Sequence, residues 1–355
     1  MNVTFMIGNG FDLACGLKTR YTDVYKEYCV LNENDSYTVK LFKKTIIGKD
    51  DRQYENWKDF EMALLTFAKE LNDFDKFEEC ILNFTEYLDN YLEKQETCID
   101  IETNKNFLIA NMKKYIYGFY SYCLLDSRSI LETKVKLTTQ SCLFNFITFN
   151  YTNTLEKTLK FLNNNVRKRY SSHEYYYHPP IHIHSTLNNG ILLGLDNEEF
   201  YKDIPCVNKR KLKNLIDKIV KNSRQSNIVN STEALLGRSD IIIIYGWSMG
   251  DSDSFWVNSI KEGFNANKKM QLVYVPYYED SLNSKYSHET LNREDEMKQN
   301  ILEKFELSEN DATRIHIITN DNYMDLAIIG TGSPKTNLDK WFDENQDTND
   351  RIANQ

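Results

Sequence analysis

The side chains of this chain that are equipped for chemistry gather in a few stretches. The first is Gly8-Asn9-Gly10-Phe11-Asp12, directly after the apolar run Val3-Thr4-Phe5-Met6-Ile7. A strand that breaks on glycines into a helix start can turn backbone N–H groups and a helix dipole toward a phosphate. Asp12, at that helix start, is a capping residue or a grip for a ribose hydroxyl. No further glycine completes a dinucleotide fingerprint, because Gly16 falls too late, so an ordinary dehydrogenase is disfavoured. The second stretch is Phe146-Ile147-Thr148-Phe149-Asn150-Tyr151. Its Asn150 stands where open α/β sheets present residues to ligands, and an amide that both donates and accepts can hold a hydroxyl or place a water. A turn or helix cap explains the same residue equally well.

The third stretch holds His173, His178, His182 and His184, four of the six histidines. His182 and His184 alternate and would share one side of a strand. No carboxylate or thiol sits at zinc-like spacing, so no metal is expected and one imidazole acting as a general base is the simpler chemistry. The fourth is Asp240-Ile241-Ile242-Ile243-Ile244-Tyr245, running into Gly246-Trp247-Ser248-Met249-Gly250-Asp251 and Asp253. Gly246 to Gly250 fits the spacing of a serine-hydrolase elbow, but that chemistry needs an acid and then a histidine afterwards, and the only histidines that follow are His288 and His316. A second glycine turn at a strand end, with polar groups aimed at the same crevice, is the better reading.

These stretches need a scaffold that brings strand ends together. Strand-like runs are expected at 3–7, 143–149, 181–184, 191–193, 240–245, 271–275 and 314–319, with helical pattern between them. The run of isoleucines is apolar on both faces, as in a central parallel strand. The fold class is therefore α/β, a Rossmann-like, mostly parallel sheet with helices on both faces. Residues 1–50 and 137–330 form the nucleotide-binding core in this division. Residues 51–136 lack a strand and read as a helical insertion, a lid or partner surface, with apolar stripes such as Phe60, Leu64, Ala68 and Leu71. Residues 331–355 are polar and expected to fray.

Bulk properties narrow the class. The net charge of −9 argues against a general nucleic-acid coat, and no apolar run is long enough to span a membrane. Seven scattered cysteines without a Cys-x-x-Cys pair fit a reducing cytoplasm. A basic helix from Lys209 to Arg224, with Arg167-Lys168-Arg169-Tyr170 nearby, leaves a nucleic-acid-binding or nuclease-like effector as the alternative class.

In order along the chain, "GNGFDLACGLKTRY", "NWKDFE" at 56–61, "FNYTNTLE", "IHIHS", "ILLGLDN" and "YGWSMGDSD" resemble the AbiH family of bacterial phage abortive-infection proteins. That family is in turn distantly similar to sirtuin-like NAD-binding domains. The resemblance implies a glycine loop at Gly8 and Gly10, a catalytic Asn at Asn150 and a catalytic His at His184. It also implies a pocket that takes in Asn9, Phe11, Asp12, Tyr151, Gly194, Gly246, Ser248, Asp251 and Asp253. Trp57 and Phe60 read as packing residues and Glu61 as a further site candidate. Ser185 stands where the sirtuin-like pattern has glycine, and the zinc-ribbon cysteines of deacetylases are missing. The implied activity is hydrolysis of NAD to nicotinamide and ADP-ribose in the cytoplasm, under the control of a protein trigger or partner, with a homo-oligomer possible. A nucleotide sensor without catalysis is the third reading.

Overall fold

The structure is a computed structural model. It describes residues 1–47, 60–71, 73–137, 141–163, 168–170, 173–184, 186–187, 190–191, 193, 210, 213–214, 226–277, 287–319, 323–324 and 326. One sheet organises the molecule. Its strands are β1 (Asn2–Ile7), β2 (Cys142–Thr148), β3 (Lys168–Tyr170), β4 (His173–Tyr177), β5 (Ile181–His182), β6 (Ile241–Tyr245), β7 (Gln271–Val275) and β8 (Ile315–Ile317). Across the sheet the order is β3-β4-β2-β1-β6-β7-β8, with β5 also paired to β2. Every pairing is parallel except that of β3 with β4. β4 and β5 are successive pieces of one track along β2, against Cys142–Phe144 and then Ile147–Thr148. Pro179 and Pro180 separate them, and a residue without an N–H cannot continue the ladder.

The sequence pattern explains the layers. Side chains alternate across a strand, so β1 sends Val3, Phe5 and Ile7 into one core and Met6 into the other. The four isoleucines of β6 divide the same way, Ile241 and Ile243 against Ile242 and Ile244, and all are fully buried. The first face is covered by the helices at Lys105–Tyr117, Leu125–Lys136 and Thr154–Asn163, the second by those at Ser226–Gly237, Ser254–Ala266 and Ser287–Lys304. The expected α/β fold, a Rossmann-like parallel sheet with helices on both faces, is the observed one.

A further cluster is built mainly from helices. We label its elements α2 (Tyr21–Tyr28), α3 (Tyr37–Ile47), α4 (Phe60–Leu71) and α5 (Phe74–Thr97), after the short α1 (Gly10–Ala14). Phe60 stacks on Phe84 with ring centroids 4.4 Å apart, and Tyr28 meets Phe84 edge-on at 4.9 Å. Lys43 is buried among these rings because Asp35 receives its ammonium at 2.9 Å and the Tyr28 face lies 4.7 Å away. Leu187, Ile191 and Leu193 join this cluster from the far side of the sequence. The stretch 51–136 is thus shared between two cores: Phe60 to Leu92 belong to the helical cluster, whereas Ile101 to Val135 pack on the sheet. Ile191 and Leu193 lie in no strand, unlike the expectation for 191–193, because their side chains pack into the helical cluster. The strands at Lys168–Tyr170 and His173–Tyr177 were not expected.

Candidate functional site

Two glycine turns meet at the carboxyl ends of β1 and β6, neighbouring strands whose chain connections leave in opposite directions across the sheet. This is the switch point at which open α/β sheets form a crevice. The turns touch through their glycines. A Cβ on Gly8 would lie 2.5 Å from the Trp247 Cα, and one on Gly10 would lie 2.5 Å from the Gly246 Cα. Gly246 also adopts a φ of +57°, which only glycine takes freely. The Gly10 N–H donates to the Gly246 carbonyl at 2.9 Å, and the Phe11 N–H donates to the Gly8 carbonyl at 3.1 Å. The three glycines are therefore accounted for by close backbone packing, and two of the amides considered for a phosphate are engaged within the protein.

The other residues of the opening motif are fixed by their neighbours. Asn9 opens α1, but its side chain is turned to Thr19: its amide donates to the Thr19 carbonyl at 2.9 Å and its Oδ1 accepts from the Thr19 hydroxyl at 2.5 Å. Phe11 is fully buried in the sheet core, so its side chain packs. Asp12 is 1% exposed. Its Oδ2 accepts the Thr152 hydroxyl at 2.6 Å, and its Oδ1 has no partner. Burial pushes the Asp12 carboxyl up to about 7; Thr152 and the nearby Asn150 amide oppose the rise, and the charges of Glu96 and Glu156 add to it. A carboxyl so displaced makes Asp12 a candidate for a functional role.

Asn150 follows β2 and is held on two sides. Its N–H donates to the Thr148 hydroxyl at 3.1 Å, its carbonyl faces His182 Nδ1 at 3.0 Å, and its buried Nδ2 has no hydrogen-bond partner. His182 Nε2 is in turn in contact with the Glu156 carboxylate. Both ring nitrogens of His182 therefore face acceptor oxygens, which fixes the orientation of the ring. Glu96, from α5, receives the Asn153 N–H and the Lys157 ammonium, the latter at 2.5 Å. Thr152, Glu156, His182 and Glu96 are therefore part of the site's support. His182 was noted only as an alternating histidine, and the other three had no assigned role. The only signal for Thr152 and Glu156 was the density of polar residues in "NYTNTLE", and Glu96 had none.

His184 sits in an aromatic setting of its own. The rings of Phe149 and Tyr151 lie 5.8 and 5.9 Å from its imidazole, and Phe149 stacks on Trp247 at 4.2 Å. Its Nε2 is 3.7 Å from Asp253 Oδ1, a charge contact longer than a hydrogen bond. Asp253 is held by the Trp247 indole N–H at 2.7 Å. Ser248 is exposed on the same turn, and Asp251 starts the short helical turn Asp251–Asp253. The next backbone position, Met249, takes a φ of 53°, uncommon for a residue with a side chain. The structure thus joins Asn150 with Asp12 and His182, and His184 with Asp253, Tyr151 and Trp247. His173 pairs in the β3–β4 ladder, and His178 is exposed, its ring bonded to the Asn145 amide oxygen at 2.8 Å.

Gly194, Ser185, Trp57 and most of the basic stretch 209–224 lie outside the described residues, as does Arg167. Phe60 packs in the helical cluster, and Glu61 is a residue of α4. Among the described residues no three His, Cys, Asp or Glu side chains are grouped to hold a metal ion, and no helix is long and apolar enough to cross a membrane.

A comparison with curated proteins finds no match. The family model described as bacteriophage abortive infection AbiH matches residues 4–275, and the chain belongs to that family.

Proposed function

We propose that this member of a phage abortive-infection family cleaves the nicotinamide–ribose bond of NAD, releasing nicotinamide and ADP-ribose. The observation that carries the reading is that Asn150, at the end of β2, and His184, 3.7 Å from the Asp253 carboxylate, both follow strand ends of a doubly wound sheet, on the side where such folds bind dinucleotides. His184, beside the Asp253 carboxylate, is the general base of this reading. Water attacks C1′ of the nicotinamide ribose as the C1′–N bond breaks. The bonding electrons go to the nicotinamide ring nitrogen, and the water's proton goes to His184. Positive charge that builds on the ribose is favoured by the carboxylates of Asp253 and Asp12. Asn150, pinned by His182 and Thr148, orients the ribose or the water. Tyr151, Phe149 and Trp247 supply flat apolar surface beside His184, suited to a nicotinamide ring.

The helical cluster and the belonging to a defence family support control by a protein trigger, since unrestrained loss of NAD is toxic. Incubation of NAD with the purified chain, followed by chromatography with mass detection, is the direct test. Nicotinamide and ADP-ribose are expected from the wild type, and at least about a hundredfold less from His184→Ala. Release that is equal in the wild type and His184→Ala would remove the histidine from the mechanism.

A further inference from the structure

Away from the crevice, the helix layers differ sharply in charge. α5 carries seven carboxylates against two lysines. Two helices on the first face of the sheet, α6 (Lys105–Tyr117) and α7 (Leu125–Lys136), together carry six basic residues and two acidic ones. The acids of α5 are not spread around it. Asp75, Glu79, Leu82, Glu86 and Glu93 recur at intervals of three, four and seven residues and are all exposed, which puts them on one stripe. The opposite side is the buried row Phe77, Ile81, Phe84 and Leu88. Leu82 stands within the acidic stripe with 62% of its surface exposed, and Lys76, off the stripe, is held by Asp73 at 3.1 Å.

α7 has the complementary character. Leu131 and Val135 face the sheet core, whereas Leu125 and Ile130, with Leu137 at the C-cap, are exposed, Leu125 at 80% and Leu137 at 75%. They are three of the nine large apolar side chains left exposed among the described residues. Arg128 and Lys136 share one carboxylate, Glu132, at 4.0 and 2.7 Å, so the surface keeps positive charge beside its apolar groups. A carboxylate stripe with a leucine in it fits such a surface, because apolar burial and charge pairing act at the same contact. We infer that α7 of one copy docks on α5 of a second copy, so that the chain assembles head to tail. The two surfaces belong to different cores, α5 to the helical cluster and α7 to the sheet, so the contact is heterologous and leads to a ring or a filament. A copy seated on α5 bears on the helix whose last turns hold Asn153 and Lys157, which joins assembly to the crevice.

The test is sedimentation velocity of the full chain, over concentrations up to about 0.1 mM and at salt of about 0.05 M and about 0.5 M. The wild type is expected to gain mass with concentration at low salt and to return toward the monomer at high salt. Arg128→Glu combined with Lys136→Glu makes both surfaces acidic. Glu79→Lys, Glu86→Lys and Glu93→Lys together make both basic. Each of these variants alone is expected to stay monomeric. An equal mixture of the two is expected to associate again, which a misfolded pair does not do. Leu82→Gln, which leaves every charge in place, is expected to weaken association about tenfold. A wild type that stays monomeric throughout would overturn the proposal and leave the α7 surface to a different acidic partner. Charge variants that associate as the wild type does, or a mixture that remains monomeric, would overturn it as well.

Discussion

Asp12 is the residue at which chemistry and stability meet. Its carboxyl is raised to about 7 by burial, with Glu96 and Glu156 facing it as further negative charge, Cys15 close by, and Thr152 and Asn150 as the opposing hydrogen-bonding groups. In the unfolded chain the same carboxyl titrates near its ordinary value of 3.8. Between these values the folded state binds more protons than the unfolded one, so stability falls as pH rises from about 4 to about 7. Asp12→Asn removes the ionisation without changing shape. The melting temperature of the variant, relative to wild type, is therefore expected to climb as pH is raised across that interval; a constant difference would show that Asp12 does not titrate there. Trp247 offers a second residue-scale test. Its indole N–H holds Asp253 at 2.7 Å, and Trp247→Phe keeps the ring stacked on Phe149 while removing that donor. The expected cost is about 1–2 kcal/mol in chemical denaturation, with a larger proportional loss of turnover than of substrate binding. At this scale the sequence was only half readable. Asn150, His184 and Asp253 could be singled out by type and by position after strand-like runs. Glu96 and Glu156 could not, since their partners lie 57 and 26 residues away and meet them only through the fold.

The elements work as pairs of turns. Those after β1 and β6 interlock so closely that added carbons have nowhere to go. Gly246→Ala combines a left-handed φ with a Cβ 2.5 Å from the Gly10 Cα, and it is expected to cost about 3–5 kcal/mol in thermal or chemical unfolding. A loss below about 1 kcal/mol would mean that the two turns separate easily, as a phosphate-binding opening there would require. The strands behind these turns were legible because β1, past Asn2, and β6 are buried on both faces and hence apolar apart from Thr4. β3 and β4 were not, because Lys168-Arg169-Tyr170 and His173-Glu174-Tyr175-Tyr176-Tyr177 form an edge pair whose polar residues hide the strand pattern. β5 shrank to Ile181–His182 between the two prolines and the turn at Ile183 and His184.

At the scale of the whole molecule, α5 ties the helical cluster to the crevice. The Tyr91 hydroxyl donates to the Lys18 carbonyl at 2.9 Å, Gln95 accepts the Lys18 N–H at 3.1 Å, and Glu96 holds Asn153 and Lys157. The last turns of α5 thus grip the segment that follows α1 and the stretch from Asn153 to Lys157. Glu96→Ala is expected to speed amide exchange across residues 150–157 while leaving β6 and β7 protected; unchanged exchange in that loop would uncouple the two regions. No periodicity reports such a link, because α2, α3, Leu187, Ile191 and Leu193 join the cluster only through tertiary packing. The link also gives a trigger bound to the helices a physical path to Asn150.

The central claim, that defence works through cleavage of NAD at this crevice, is tested most directly in infected cells. NAD and nicotinamide would be measured by mass spectrometry in bacteria that express the chain and survive a phage challenge as a population, beside His184→Ala. The account predicts a steep fall in NAD with a matching rise in nicotinamide after infection, absent in the variant, which also loses protection. Protection by the wild type with NAD unchanged throughout infection would contradict it.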